Sequence, residues 1–451
     1  MNRAIFSLKS CPMRQAWFAG TWVKCGSMYF VLVAAWIAAC STVYAQSPLS
    51  ISAGGTGATV ASSALANFGL PIISVKDFGA TGNGSTNDTT AINNAMKACV
   101  SKSVPNNGCI LYFPAGIYMT TGLSISSFVN IKGDGWATTV IQLMPHTSSD
   151  VLIVPASAFN FSIYGLTLDG NSAQGGTGNC FSTAATPESP TEWNTANKQT
   201  TSLTAQKWGH IEEVMFSNCS NDGIFIDVYN YLLYFDKFYT FNNGVYGLYT
   251  RGTDSFFSNF VSERNGTSGL YVNNSNNKFL NAKVIWNGFR DTSAGAIFTN
   301  GSRNIFTNIE AQDNYVSGFV DHGSDNQFIG CQADTNGYAK RNPNASSLTA
   351  SGFVISGTHG VYVGDKVTSY RGRLSDGNFA TQWPYTITNP QQSRIDISYD
   401  GTNRPPPTVF DIPQVTAPLA GHAACIKSAG PPAVIGYCSS SVNSSGTCTC
   451  N

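Results

Sequence analysis

The sequence predicts an all-β chain wound as a single-stranded right-handed parallel β-helix, a solenoid whose first coil is covered by an N-terminal capping helix. Three observations predict it. Two columns of identical residues repeat about every 22 positions. The apolar residues between them alternate in short bursts. Asn and Gly punctuate the ends of those bursts.

The repeat comes first. Asn stands at 221, 243, 265, 287, 314 and 336, in steps of 22, 22, 22, 27 and 22. Eight residues before each, from the second onward, stand Phe235, Phe257, Phe279, Phe306 and Phe328, and ten before the later ones stand Asn277, Asn304 and Asn326. Columns locked to one period mean a solenoid. Helical repeats run longer and show a 3.6-residue apolar period. Here the bursts have period two: Gly223-Ile224-Phe225-Ile226, Gly247-Leu248-Tyr249-Thr250, Gly269-Leu270-Tyr271-Val272, Gly295-Ala296-Ile297-Phe298, Gly318-Phe319-Val320 and Gly352-Phe353-Val354-Ile355. A coil of this length holds three short strands and three bends, each strand pairing in parallel with the next coil about 4.8 Å away. Asn suits a bend because it tolerates the left-handed backbone, and stacked Asn side chains can bond from coil to coil. The Phe column is expected to fill the interior.

The flanks follow. Asn87 to Val100 reads as an amphipathic helix, with Ala91, Ile92, Ala95, Met96 and Cys99 on one face and Thr86 or Asp88 as N-cap. It would cover the open edge of the first coil. Residues 1–45 read as a signal peptide, with Arg3, Lys9, Arg14 and Lys24 ahead of an apolar stretch from Met28 to Ala39 and small residues at Val43-Tyr44-Ala45. That stretch is too short for an ordinary membrane span, so a secreted, extracellular or periplasmic location is expected. Ile37-Ala38-Ala39-Cys40 also fits a lipoprotein box, and an outer-membrane lipoprotein anchored at Cys40 is the alternative. Residues 46–72 form a Gly/Ser/Ala-rich lead-in, 73–400 the solenoid, 401–415 a Pro-rich linker and 416–451 a Cys-rich tail. Cleavage after Ala45 leaves nine cysteines, an odd number, so at least one thiol stays outside an internal disulfide; Cys99 and Cys109 are placed to staple helix to strand.

Charge narrows the partners. Lys+Arg and Asp+Glu are 25 each and only 11% of residues are charged, which leaves no basic field for nucleic acid. The cysteine spacing fits no zinc template, and no metal or other cofactor is expected unless the chain is a lyase, which would call for Ca²⁺.

Val75-Lys76-Asp77-Phe78-Gly79-Ala80, then Gly84-Ser85-Thr86-Asn87-Asp88-Thr89-Thr90-Ala91-Ile92, Leu111-Tyr112-Phe113-Pro114-Ala115-Gly116-Ile117-Tyr118 and Ile131-Lys132-Gly133-Asp134-Gly135-Trp136 resemble the N-terminal signature of the pectate-lyase-superfamily (pectin-lyase-like) β-helix proteins. That family includes polysaccharide hydrolases and lyases, an epimerase and viral tailspikes. The resemblance implies a polysaccharide partner and, through the tailspikes, allows a homotrimer. These motifs build the capped start and carry no catalysis. Of the polygalacturonase active-site motifs, only Gly357-Thr358-His359-Gly360 is similar to one. Ser52 to Thr59, followed by Ala66-Asn67-Phe68-Gly69-Leu70, resembles a linking motif of phage tail fibres.

The expected activity is that of a secreted glycoside hydrolase or polysaccharide lyase acting on an exopolysaccharide or pectin-like glycan; the alternative is a non-catalytic glycan-binding or tailspike-like surface protein. Phe225, Tyr249 and Tyr271 form an aromatic column that would stack on sugar rings if it faces outward. Asp227, Arg251, Asn273, Thr299, His322 and Ser356 form a polar row beside it, with Asp227 and Arg251 as substrate contacts or a surface ion pair. Asp321 interrupts an apolar column, and a desolvated carboxyl there would act as a general acid beside His322. Arg290 and Asp291 lie where one coil is lengthened. Asp291 and Asp321 fall about one coil apart, so Asp291, Asp321 and His322 are the catalytic candidates, with Asp227, Tyr249, Arg251, Tyr271 and Arg290 binding substrate. The alternative is that these are turn and core residues.

Overall fold

The computed structural model describes residues 72–102, 108–186, 206–291, 294–337, 350–368, 382–387 and 393–400, together with short strands at Phe410–Asp411, Ala424–Ile426 and Ile435–Tyr437. The expected signal peptide, Cys40 and nearly all of the lead-in, linker and tail lie outside the described residues. No helix among those described is long and apolar enough to cross a membrane.

The coils stack into two sheets, one of eighteen strands and one of ten, with parallel pairing between successive coils. The eighteen-stranded sheet folds over itself because its strands bend mid-length. Lys278–Ile285 bends at Asn281 and Ile305–Gln312 at Asn308, both left-handed. Their register continues that corner through Glu213, Lys237 and Asn259 to Gly330 and Gly364, which share the positive φ. Two further corners carry their own left-handed residues, Asn242, Arg264, Trp286, Asp313 and Thr335 at one and Asp254, Asn276, Arg303, Asp325 and His359 at the other. Three bends per coil leave three walls.

The repeated Asn side chains bond from coil to coil as expected, but they are not the left-handed residues of the bend. The left-handed residue is the one before each, and the bend turns Asn243, Asn265, Asn287, Asn314 and Asn336 into the interior, where each is essentially unexposed. Each side-chain oxygen accepts the backbone N–H of the Asn one coil earlier, as from Asn243 to Asn265 (3.2 Å), Asn265 to Asn287 (2.9 Å) and Asn287 to Asn314 (2.9 Å). Asn221 stands outside the ladder, exposed; Cys219 takes its place, donating its N–H to Asn243. A second buried ladder runs through Asn277, Asn304 and Asn326.

The Phe column fills the core as expected. Phe235, Phe257, Phe279, Phe306 and Phe328 stack face to face at 4.6–5.2 Å, and Tyr362 ends the stack. Across adjacent coils Lys283 meets Glu310 at 3.0 Å, and Asp325 lies 3.8 Å from His359.

The capping helix spans Thr89–Lys102 and buries Ile92, Ala95, Met96 and Cys99. Asp88, buried before it, accepts the N–H groups of Thr81 and Gly82 and so knots the lead into the first coil. Cys99–Cys109 fastens the helix to the first wall, a second disulfide joins Cys180 to Cys219, and Cys331 is a buried free thiol. Replacing Cys99 and Cys109 together by Ser is expected to cost about 2–3 kcal/mol of stability, read from guanidinium unfolding without reductant.

Candidate functional site

The ten-stranded sheet presents a flat wall whose outer face carries the aromatic column. In the strands Ile224–Ile226, Tyr246–Thr250, Ser268–Val272 and Gly295–Thr299, register aligns Phe225, Tyr249, Tyr271 and Phe298. Their neighbours Leu248, Leu270 and Ile297 are buried, so alternation sends the four rings outward, and they are partly exposed. Successive centroids lie 5.4, 4.9 and 5.1 Å apart. Tyr246, at the start of its strand, folds onto the same surface, 4.8 Å from Tyr271 and 5.3 Å from Tyr249.

Polar groups line both edges of this strip. At the far ends of the strands, Asp227 and Arg251 form an ion pair at 3.0 Å, with Arg251 still 41% exposed. His322 packs edge-on against Phe298 at 5.0 Å, and Asn300 donates to the Tyr271 hydroxyl. Gly295 pairs with Ser317 and not with Gly318, which shifts that strand by one residue. Thr299 therefore points inward, and Asn300 occupies the polar row beside His322. At the near ends stand Asp222, Tyr246, Arg290 and Asp291. Arg290 is exposed, lies over Phe289 at 5.4 Å and donates to the Gly244 carbonyl. Burial, then the neighbouring charges of Tyr271, Asp222, Tyr249 and Asp291, push the Tyr246 phenol up to about 12.

Asp321 requires a correction. Its carboxylate sits inside the solenoid, only 2% exposed. One oxygen accepts the Gly323 N–H and the Asn326 amide, and the other accepts the Tyr362 hydroxyl at 2.5 Å. Thr250 and Thr299 precede it at equivalent turns of the same wall, Thr250 accepting the Gly252 N–H as Asp321 accepts that of Gly323. Asp321 thus closes a turn and terminates the aromatic core by holding Tyr362. Burial raises its pKa, as expected of a desolvated carboxyl, but no face of it is open to a polymer. Asp291, exposed on the surface, is not its partner across a cleft. The other seven candidates, Asp227, Tyr249, Arg251, Tyr271, Arg290, Asp291 and His322, lie on or beside the one aromatic strip.

Two concavities occur elsewhere, one at Phe159, Asn160, Trp208 and His210, the other over Asn259, Asn281, Lys283 and Glu310. The second holds its charges in the Lys283–Glu310 pair. An extended polymer is served by an open strip along the solenoid, and the ten-stranded wall joins rings to charged groups at both edges. Among the described residues, no three His, Cys, Asp or Glu side chains converge to hold a metal ion.

Residues 72–320 match the family described as rhamnogalacturonase A/epimerase, pectate lyase-like. The chain belongs to that family. Its curated relatives include mannuronan C5-epimerase AlgE2 of Azotobacter vinelandii, 40% identical over 110 residues that make up 22% of this chain and 11% of that one, and alginate lyase 7 of the same organism, 36% identical over 110 residues, 22% and 12%. The match thus spans only about a tenth of each relative. The fold is shared with the A-module of mannuronan C5-epimerase AlgE4 from A. vinelandii, at TM-score 0.52 and 19% identity over 73% of this chain and all of that one. It is shared also with the enzymatically active domain of tailspike protein 2 from bacteriophage CBA120, at 0.54 and 16% over 72% and 46%.

Within this rhamnogalacturonase/epimerase-like chain, the nearly buried Asp222 and the half-buried Tyr246 are the groups at the near edge of the strip that sequence reasoning missed. Both directly precede a Gly-led burst, which is the only local signal. Their column runs Asp150, Asn179, Asp222, Tyr246 in steps of 29, 43 and 24 residues, because loops lengthen these coils, so no period reveals it.

Proposed function

We propose that the chain is a secreted enzyme that degrades an acidic polysaccharide laid along the outer face of the ten-stranded sheet. The observation that carries this reading is the outward row of Phe225, Tyr249, Tyr271 and Phe298, joined by Tyr246. A continuous row of partly exposed rings gives sugar rings an apolar platform, and the edge groups supply hydrogen bonds and charge. Arg251 and Arg290, on opposite edges, would meet uronate carboxylates. Relatives named for mannuronan and alginate support a polyuronate. Two internal disulfides support an oxidising location outside the cytosol.

The test is reducing-end release, with absorbance at 235 nm followed in parallel, on alginate, pectin and bacterial exopolysaccharides. New reducing ends without absorbance would mean hydrolysis; both signals together would mean a lyase. Silence across the panel with binding retained would replace the enzyme reading with that of a glycan-binding surface protein. Tyr271→Ala is expected to weaken polysaccharide binding several-fold, from the loss of about 1 kcal/mol of ring contact with the sugar, with the fold kept and the melting temperature lowered only by the lost contacts to Tyr246, Tyr249 and Phe298. Affinity electrophoresis in polysaccharide-loaded gels would read that loss.

A further inference from the structure

We propose that Asp222 is the general acid of a hydrolytic site at the near edge of the aromatic strip, a role that rests on the polysaccharide-degrading reading above. The case starts from what its column does. Asp150 accepts the Asn179 N–H (2.7 Å), Asn179 accepts the Asp222 N–H (3.1 Å), and Asp222 accepts the Tyr246 N–H (3.1 Å). Each side-chain oxygen caps the start of the next strand. Asn179 shows that an amide suffices for this task, so capping does not explain a carboxyl at 222.

The second oxygens separate the two acids. That of Asp150 is occupied by the Ser182 hydroxyl at 2.5 Å. That of Asp222 receives no hydrogen bond from any described residue, although the side chain is only 7% exposed. Nor is this oxygen among the enclosed unpaired atoms of the interior, so it reaches the surface. Burying a carboxyl with one oxygen unmatched is costly unless something outside the chain completes it. The groups around it are Asn179 and Asp150 on the coils below and Tyr246 on the coil above, with Asp291 acting on the same tyrosine. Among the described residues no cation acts on its carboxyl; burial and the Asp150 carboxylate hold its proton on to about pH 7. The free oxygen stands beside Tyr246, whose ring is part of the platform, where a sugar stacked on Tyr246 and Tyr271 would bring its glycosidic bond.

The step balances with water. The bond from the anomeric carbon to the bridging oxygen breaks, its electron pair staying on that oxygen, which takes the Asp222 proton and leaves as a hydroxyl. Water adds to the anomeric carbon and gives its spare proton to the exposed Asp291 carboxylate. Exchange with solvent then restores both groups.

The experiment compares the full-length chain with Asp222→Asn and Asp222→Glu on whichever polysaccharide of the panel the wild type cleaves. Asp222→Asn keeps an oxygen for the Tyr246 N–H, so the fold, followed by circular dichroism and melting temperature, should survive. Loss of a general acid lowers kcat/KM by about 10²–10⁴-fold. The wild-type kcat/KM should fall as pH rises past about 7, and that limb should vanish from the residual activity of Asp222→Asn and shift in Asp222→Glu. A folded Asp222→Asn that turns over within a few-fold of wild type, with the limb unchanged, overturns the proposal. So does a wild type whose products absorb at 235 nm, since elimination would then replace hydrolysis while the degrading function stands. A wild type silent on the whole panel overturns the degrading function itself.

Discussion

Asn265→Ala is expected to lower the stability of the solenoid by about 4 kcal/mol, although it removes a single side-chain amide from one coil. The Asn265 side chain is wholly buried and serves two coils at once. Its oxygen accepts both the backbone N–H and the side-chain amide of Asn243, at 3.2 and 3.0 Å, while its own amide donates to Asn287 at 2.9 Å and to Ser262 at 3.0 Å. Alanine leaves two donors of Asn243 facing an apolar gap, each costing about 1–3 kcal/mol. Asn287 still accepts the Asn265 backbone N–H, so on that side its oxygen keeps one of its two bonds from residue 265. Asn265→Asp keeps the accepting oxygen but buries a charge, and its penalty should therefore shrink as pH falls. Asn259→Ala is the control. Asn259 is also an Asn at a bend, but it is exposed and left-handed, and its replacement should cost only about 1 kcal/mol of backbone strain. Guanidinium unfolding of the three variants would decide the matter. Equal losses at 265 and 259 would mean that the buried ladder adds nothing beyond the shape of the bend.

That contrast also shows why much of the fold was legible and the site less so. A solenoid repeats the same environment in every coil, so the same residue recurs at one period. Asn287 and Phe279 announce themselves because Asn265 and Phe257 have already stood in the same place. What periodicity cannot convey is which of two adjacent bend residues is left-handed, since Arg264 and Trp286 share a backbone conformation without sharing a chemistry. Nor does it survive a change of length. The coil lengthened near Asp291 moves Gly295 out of step with Gly318, which is why Thr299 was read into the polar row that Asn300 occupies. Asp321 was singled out correctly as a carboxyl in an apolar column. Its cause lay 41 residues away in the Tyr362 hydroxyl, a partner that no local pattern contains. Functional groups on such a scaffold gather where coils are irregular, so the residues hardest to find are those at Asp222 and Tyr246, bracketed by steps of 43 and 24.

The stability of Asp222→Asn relative to wild type should itself depend on pH, by about 4 kcal/mol between pH 4 and pH 8. The folded chain holds the Asp222 proton to about pH 7, against an ordinary value of 3.8 for the unfolded chain. Burial is the main cause, and Asp150 adds to it. A carboxyl with a raised folded pKa favours folding only while protonated. Its contribution is fully present below about pH 4, is lost as pH rises from about 4 to 7, and is constant above that. Three units at about 1.4 kcal/mol each give the stated amplitude. Asparagine cannot ionise, so the variant escapes this loss and should gain on wild type steadily through that window. Asp321, also raised by burial, titrates in both proteins and cancels in the difference. Unfolding midpoints measured at half-unit intervals would trace the curve. A difference that stays flat from pH 4 to pH 8 would mean that solvent reaches the carboxylate freely, and a general acid at 222 would lose its physical basis. A difference that rises as described, together with loss of turnover, would show a fold giving up stability at neutral pH to keep one proton in place, which a strand-capping residue has no reason to do.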